Sequence, residues 1–161
     1  MKSGISGKVV DRDKGAKALL RRVADTGKIH VAVGLTGVKA EAQHGSEDFN
    51  NVDIGTVHEF GLGNVPERSF IRATVDDRSK EIQSIQRRIA AGIVSGKTTE
   101  EKGLTILGLK LQADMVAKIR SNIPPALSPE TIKQKRSSTP LIDSGQLVQA
   151  ISFQVRKGDP R

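Results

Sequence analysis

Cysteine, tryptophan and tyrosine are absent from this 161-residue chain, and its four phenylalanines leave aromatics at 2%. Without cysteine there is no disulfide, no thiol chemistry, and no zinc or iron–sulfur site built on thiolates. A small secreted scaffold stapled by disulfides is excluded, although the compartment is otherwise left open. The scarcity of aromatics leaves a core to be made from Leu, Ile, Val and Ala. It also argues against a nucleic-acid reader that stacks bases on aromatic side chains. Long apolar runs are missing too, none approaching the ~18 residues that cross a bilayer, so no membrane partner is expected. The opening Met1 to Gly7 has a lysine but no apolar segment behind it, so no signal peptide is expected. The protein should be soluble and start life in the cytoplasm.

What is present suits one lean domain spanning residues 1–161: 36% hydrophobic, 27% charged, mean hydropathy -0.33. Lys and Arg number 26 against 18 Asp and Glu, a net charge of +8 that favours acidic or polyanionic partners. The spacing predicts a helix over Lys14 to Ala24, with Ala16, Leu19, Leu20 and Val23 on the buried face and Gly27 closing it. Alternation of Ile29, Val31 and Val33 predicts a strand over 28–34. Thr36 to Asn51 has no period and reads as a long loop (about 36–52), mobile until a neighbour orders it; the termini have room to be flexible as well.

Asp53 to Phe60 reads as two helical turns capped by Asp53 and stopped by Gly61. A long helix follows from Ser69 to Val94, then another capped by Thr98 or Thr99, whose stripe is Leu104, Leu107, Leu111, Met115 and Ile119. Ser128-Pro129 opens a short helix. Asp143 or Ser144 is expected to cap a last helical stretch before a strand over 150–155. The class expected is α+β: a small antiparallel or mixed sheet packed with long α-helices.

Enzymatic motifs fail on spacing. His58-Glu59 lacks the second histidine of a zinc protease, because position 62 is Leu62. Gly92 to Thr98 falls one residue short of a P-loop and follows a predicted helix instead of a strand. His30, His44 and His58 sit in unrelated settings, and no nucleophile elbow occurs. Asp76-Asp77 and Glu100-Glu101 read as helix-surface acids. No catalytic residue, metal ligand or cofactor is expected. The basic clusters Arg21-Arg22, Arg87-Arg88 and Lys133-Gln134-Lys135-Arg136 lie beside apolar stripes. Arg87, Arg88, Lys133, Lys135 and Arg136 are the candidate contacts to an acidic partner or to DNA.

Two segments carry a resemblance. Val57-His58-Glu59-Phe60-Gly61 followed by Val65-Pro66-Glu67-Arg68-Ser69-Phe70-Ile71 is similar to the "hEfG … iPaRpFl" signature of phage virion-morphogenesis and tail-completion proteins. Pro140-Leu141-Ile142-Asp143-Ser144-Gly145-Gln146-Leu147-Val148-Gln149-Ala150-Ile151 resembles the C-terminal "kPLidTGqLl.SI" motif of the same proteins. Ser144 stands for the usual Thr and Ala150 for the usual Ser, while Glu67 and Ser69 flank Arg68 where small residues or Pro are common.

The physical roles expected in these motifs are structural. Phe60 should be an apolar anchor, Gly61 a helix stop, Pro66 a fixed approach, Arg68 a fork of donors for carboxylates or carbonyls, and Phe70 the seat of the long helix. Asp143 and Ser144 should cap, with Gly145 beside them, and Leu147 and Ile151 should be buried. The resemblance implies a structural virion protein at the neck of a phage, a tail-terminator ring expected to be hexameric. Such a ring would join the tail tube or sheath to a head-completion protein, and the excess of basic residues leaves room for contact with acidic neighbours or the DNA end. The alternatives are a head-side connector or adaptor ring, an assembly factor, or a sequence-independent nucleic-acid-binding protein.

Overall fold

The computed structural model describes residues 13–43, 49–134 and 138–158. The fold is α+β, with a two-stranded antiparallel sheet packed against long helices. The elements run α1 (Ala16–Ala24), β1 (Ile29–Leu35), α2 (Val38–Glu41), α3 (Asn51–Phe60), α4 (Arg72–Ser95), α5 (Glu100–Arg120), α6 (Pro129–Gln134), α7 (Gln146–Ala150) and β2 (Ile151–Lys157). No helix among the described residues is long and apolar enough to cross a membrane.

The sheet joins the two ends of the described chain. β1 and β2 pair in register from Ile29↔Lys157 to Leu35↔Ile151. Beyond the last pair, the Ser152 hydroxyl donates to the Thr36 carbonyl at 2.6 Å and meets the Thr36 hydroxyl at 2.7 Å. A lone two-stranded ribbon is marginal in water, so its support must come from the helices. That support is α5. Gly108 has no side chain where the Phe153 ring lies: a β-carbon there would come within 2.4 Å of the ring and 3.0 Å of Val31. The Gln112 amide also donates to the Ile151 carbonyl at 3.1 Å.

α4 and α5 form an antiparallel hairpin. Gly96, at φ 76°, ends α4 in the left-handed conformation that glycine adopts without strain. The Lys97 amide then donates to the Gly92 carbonyl at 2.8 Å, so the P-loop-like stretch is a helix stop. The Thr99 hydroxyl accepts from the Lys102 amide at 3.3 Å and starts α5. Lys118–Asp77 (2.8 Å), Lys110–Glu81 (3.3 Å) and Arg78–Asp114 (3.7 Å) run along the seam.

The stripe predicted on α5 is buried from Leu107 through Leu111 and Met115 to Ile119, with Leu104 half-buried. It divides the core. Ile85, Leu107 and Leu111 pack with Val31 and Val33 at one end, and Phe70, Met115, Ile119, Leu141, Leu147 and Ile151 form the larger cluster at the other.

Four expectations require correction. The Thr36–Asn51 stretch is not wholly a loop. It holds α2, whose Ala40 is buried, and a bridge between Gln43 and Asn50. Residues 44–48, His44 among them, lie outside the described residues, as do 1–12 and 159–161, where flexible termini were expected. The order comes from Asn51, a buried polar residue whose amide donates to the carbonyls of Lys39 (2.9 Å) and Ala42 (3.4 Å). Such tertiary ties leave no periodic trace in sequence.

Second, α1 buries no residue: Leu20 is 68% exposed and Val23 49%, because the helix lies at the edge of the fold, packed mainly on α4. Third, Asp53 is not the cap of α3. Asn50 caps it, accepting from the Asp53 amide at 3.0 Å while the Asp53 carboxylate accepts from the Asn50 amide at 3.0 Å, a reciprocal capping box. Fourth, Gly145 at φ 81° occupies the cap position of α7, which has no side-chain cap, and the Ser144 hydroxyl only accepts a long 3.5 Å bond from the Gln146 amide. Asn50→Ala should therefore lower stability by ~1 kcal/mol. Ser144→Ala should stay within about 0.5 kcal/mol, as for most exposed sites. Urea unfolding of the two variants checks this order.

Candidate functional site

The two sequence motifs, some 80 residues apart, meet in space. α3 packs on α7, and at Gly55 a β-carbon would fall 2.1 Å from the end of the Leu35 side chain, which would have to shift, and 3.5 Å from Leu147. A cleft of about 180 Å³ lies between them, lined by Ile54, His58, Pro140, Leu141, Asp143 and Gln146 among others. Beneath it Phe70 of the first motif and Leu141, Leu147 and Ile151 of the second share one buried cluster.

Glu59 is the centre of this joint. It is 4% exposed, and its carboxylate faces the start of α4. The backbone amides of Phe70, Ile71 and Arg72 donate to it at 2.8, 2.9 and 2.8 Å, and the Ser69 hydroxyl at 2.7 Å. The Arg72 Nε adds a contact at 3.2 Å. The first amides of a helix have no intrahelical acceptor and carry the positive end of its dipole. Glu59 thus caps α4 from another helix, which is why α4 begins at Arg72, whereas the periodicity suggested Ser69. Burial raises the pKa of this carboxyl. The bonds from Ile71, Arg72, Ser69 and Phe70 outweigh that and hold it below the ordinary glutamate value.

Arg68 locks the other side. Only 4% exposed, it forks Nε and Nη2 onto the Pro125 carbonyl at 3.1 and 2.7 Å, while its amide donates to the His58 carbonyl at 2.7 Å. Of the partners foreseen for its fork, it takes a carbonyl. Burial lowers its pKa. Arg72 reaches back as well: its Nη2 donates to the Glu59 carbonyl at 2.6 Å and to Glu67 at 2.8 Å.

Gly61, at φ 65°, allows the fold-back. A β-carbon there would sit 2.7 Å from the Glu67 amide nitrogen, which is backbone and cannot step aside. Gly61→Ala should cost about 2 kcal/mol or more, since the left-handed conformation alone costs roughly 1–2 kcal/mol. A thermal melt reads it.

Phe60 is not the anchor expected of it. It is 54% exposed, with the Arg72 guanidinium 4.7 Å from its ring centre. Pro66 is also exposed, on the turn leading to Arg68. Phe70, in contrast, is 0% exposed. Asp143 and Ser144 are exposed at the rim of the joint, and Pro140 is buried.

The basic candidates lie elsewhere. Arg87 and Arg88 are exposed on α4, Lys133 is exposed on α6, and Lys135 and Arg136 lie outside the described residues. Ser69, Arg72, Asn51 and Gly55 are parts of the joint that sequence reasoning missed. A signal existed for two of them: Asn51, Gly55 and Glu59 recur at i, i+4, i+8, the small and polar face that α3 buries.

Among the described residues no three His, Asp or Glu side chains gather as a metal site would require. The arrangement uses its acid and its buried arginine to hold backbone. Compared with protein-family models, with curated proteins and with solved structures, the chain finds no match.

Proposed function

We propose that the protein is a structural component of a phage virion, a ring-forming tail-completion protein at the junction of tail and head. The observation that carries this reading is the state of Glu59. Of the two acids in the first motif, Glu59 is turned inward and saturated by three backbone amides and a hydroxyl, a role suited to fixing a subunit's shape. The second motif closes on the same joint through Leu141 and Leu147. Two motifs that share one structural joint fit a family whose signature is architectural.

The charge favours a second reading, sequence-independent nucleic-acid binding. Arg87 and Arg88 are exposed and enter no ion pair among the described residues. Phosphate contact of this kind weakens steeply with salt. Two experiments separate the readings. Removing the gene from its phage should yield unjoined heads and tails that purified protein restores, and electron microscopy should show rings. A protein that stays monomeric, with joining intact in its absence and with salt-sensitive duplex binding, would replace the first reading by the second.

A further inference from the structure

α3 and α5 each bury one face and leave a second apolar face uncovered. On α5, Ile106, Leu109, Ala113 and Ala117 are exposed at i, i+3, i+7 and i+11, with Ile106 at 60% and Leu109 at 54%. An α-helix that is apolar on both sides is one that expects cover on both. On α3 the inverse has happened: Asn51, Gly55 and Glu59 are buried, and Val52, Thr56 and Phe60 face out. Phe49 before this helix and Leu62 after it are also half exposed, so two of the four phenylalanines in the chain stand at the surface here. Val52, Thr56 and Phe60 border a groove of about 300 Å³ between α3 and β1, floored by Val33, Leu35 and Ile71.

We infer that the outer stripe of α5 docks in the α3–β1 groove of a second copy of this chain, head to tail. The inference rests on the ring reading above and names the two surfaces that would meet. Shape supports it: a convex helical stripe with two large aliphatic side chains matches an apolar groove, the helix-in-groove mode of recognition. Charge supports it too. The α5 stripe ends in exposed Lys102 and Arg120, which enter no ion pair among the described residues, while the α3 face carries exposed Asp53, and Arg72 at the groove is already paired with Glu59 and Glu67. Pairing α5 with α5 antiparallel about its middle would set Lys102 against Arg120, and a parallel pairing would set each against itself. Like charges so placed disfavour a two-fold contact and leave the heterologous one, which repeats into a ring.

The absence of cysteine makes the test clean. Thr56→Cys and Ala113→Cys each introduce a single thiol, one per surface. Mixed and oxidised, the two variants should form a disulfide-linked heterodimer roughly tenfold or more above either variant alone, since docking raises the local thiol concentration. In parallel, Leu109→Glu and Val52→Asp should each stop assembly while keeping the melting profile, and their mixture should recover dimers but nothing larger. Self-cross-linking of Ala113→Cys as fast as the mixture would overturn the inference in favour of a two-fold α5 contact. Rings of the unmodified chain without any mixed disulfide would overturn it while leaving the ring reading intact. A chain that stays monomeric at its highest soluble concentration and inside assembled particles would overturn both.

Discussion

Replacing Glu59 by Ala is expected to remove about 3–5 kcal/mol of stability, because it strips a shared acceptor from several groups at once. The amides of Phe70, Ile71 and Arg72 and the Ser69 hydroxyl all point at this carboxylate. A buried donor left without a partner costs ~1–3 kcal/mol, and these do not add fully since water can enter beside half-exposed Arg72. Against the roughly 5–15 kcal/mol that holds a domain together, the loss is large. Glu59→Gln keeps one acceptor oxygen but turns an NH2 toward donors, so it should fall between the parent and Glu59→Ala. Urea unfolding with an unchanged slope measures the series. A loss below 1 kcal/mol for Glu59→Ala would show that the cap is replaceable by solvent.

The pH dependence has a definite sign. The Glu59 pKa is held below the ordinary glutamate value in the folded protein. Its contribution is therefore fully present above that ordinary value and is lost as the pH falls toward the lowered one. The parent should lose stability on acidification through this window. Glu59→Gln, which cannot titrate, should be flatter there. Asp77 and Asp25, also lowered by Lys118 and Lys28, are surface groups that add little to this limb.

Phe70→Ala should cost about 3–5 kcal/mol, the range for truncating a fully buried phenylalanine. Phe70 joins the start of α4 to Met115 and Ile119 of α5 and to Leu141, Leu147 and Ile151 of the C-terminal motif. The cavity would thus loosen both motifs, and amide exchange over 140–150 should accelerate along with exchange over 69–74. Phe60→Ala, on an exposed ring, should stay under ~1 kcal/mol. The pair separates folding from assembly. Equal losses for the two phenylalanines would contradict the burial that distinguishes them.

Much of the architecture was written in local pattern. Alternation marked β1, the 3.6-residue period marked α4 and α5, and the Thr99 and Ser128 signals set helix starts close to where they fall. These are properties of neighbours in sequence: a hydroxyl reaches an amide three residues on, and an apolar stripe repeats within one helix. The motif residues Arg68, Phe70, Leu147 and Ile151 were also readable as buried or bonded structure.

Other features required the chain to fold back on itself. Asn51 orders α2 through carbonyls nine and twelve residues away, and Glu59 caps a helix that starts thirteen residues later. Gly108 is small because Phe153, brought in by β2, occupies its place, and Phe60 is exposed because Gly55 is the residue that α3 turns inward. Sequence period reports which residues share a face; which face meets the core is decided by what arrives opposite it. For α3 that was a turn, a strand edge and the amides of a helix needing an acceptor. Tertiary packing therefore chose the polar face for burial and left the apolar one outside.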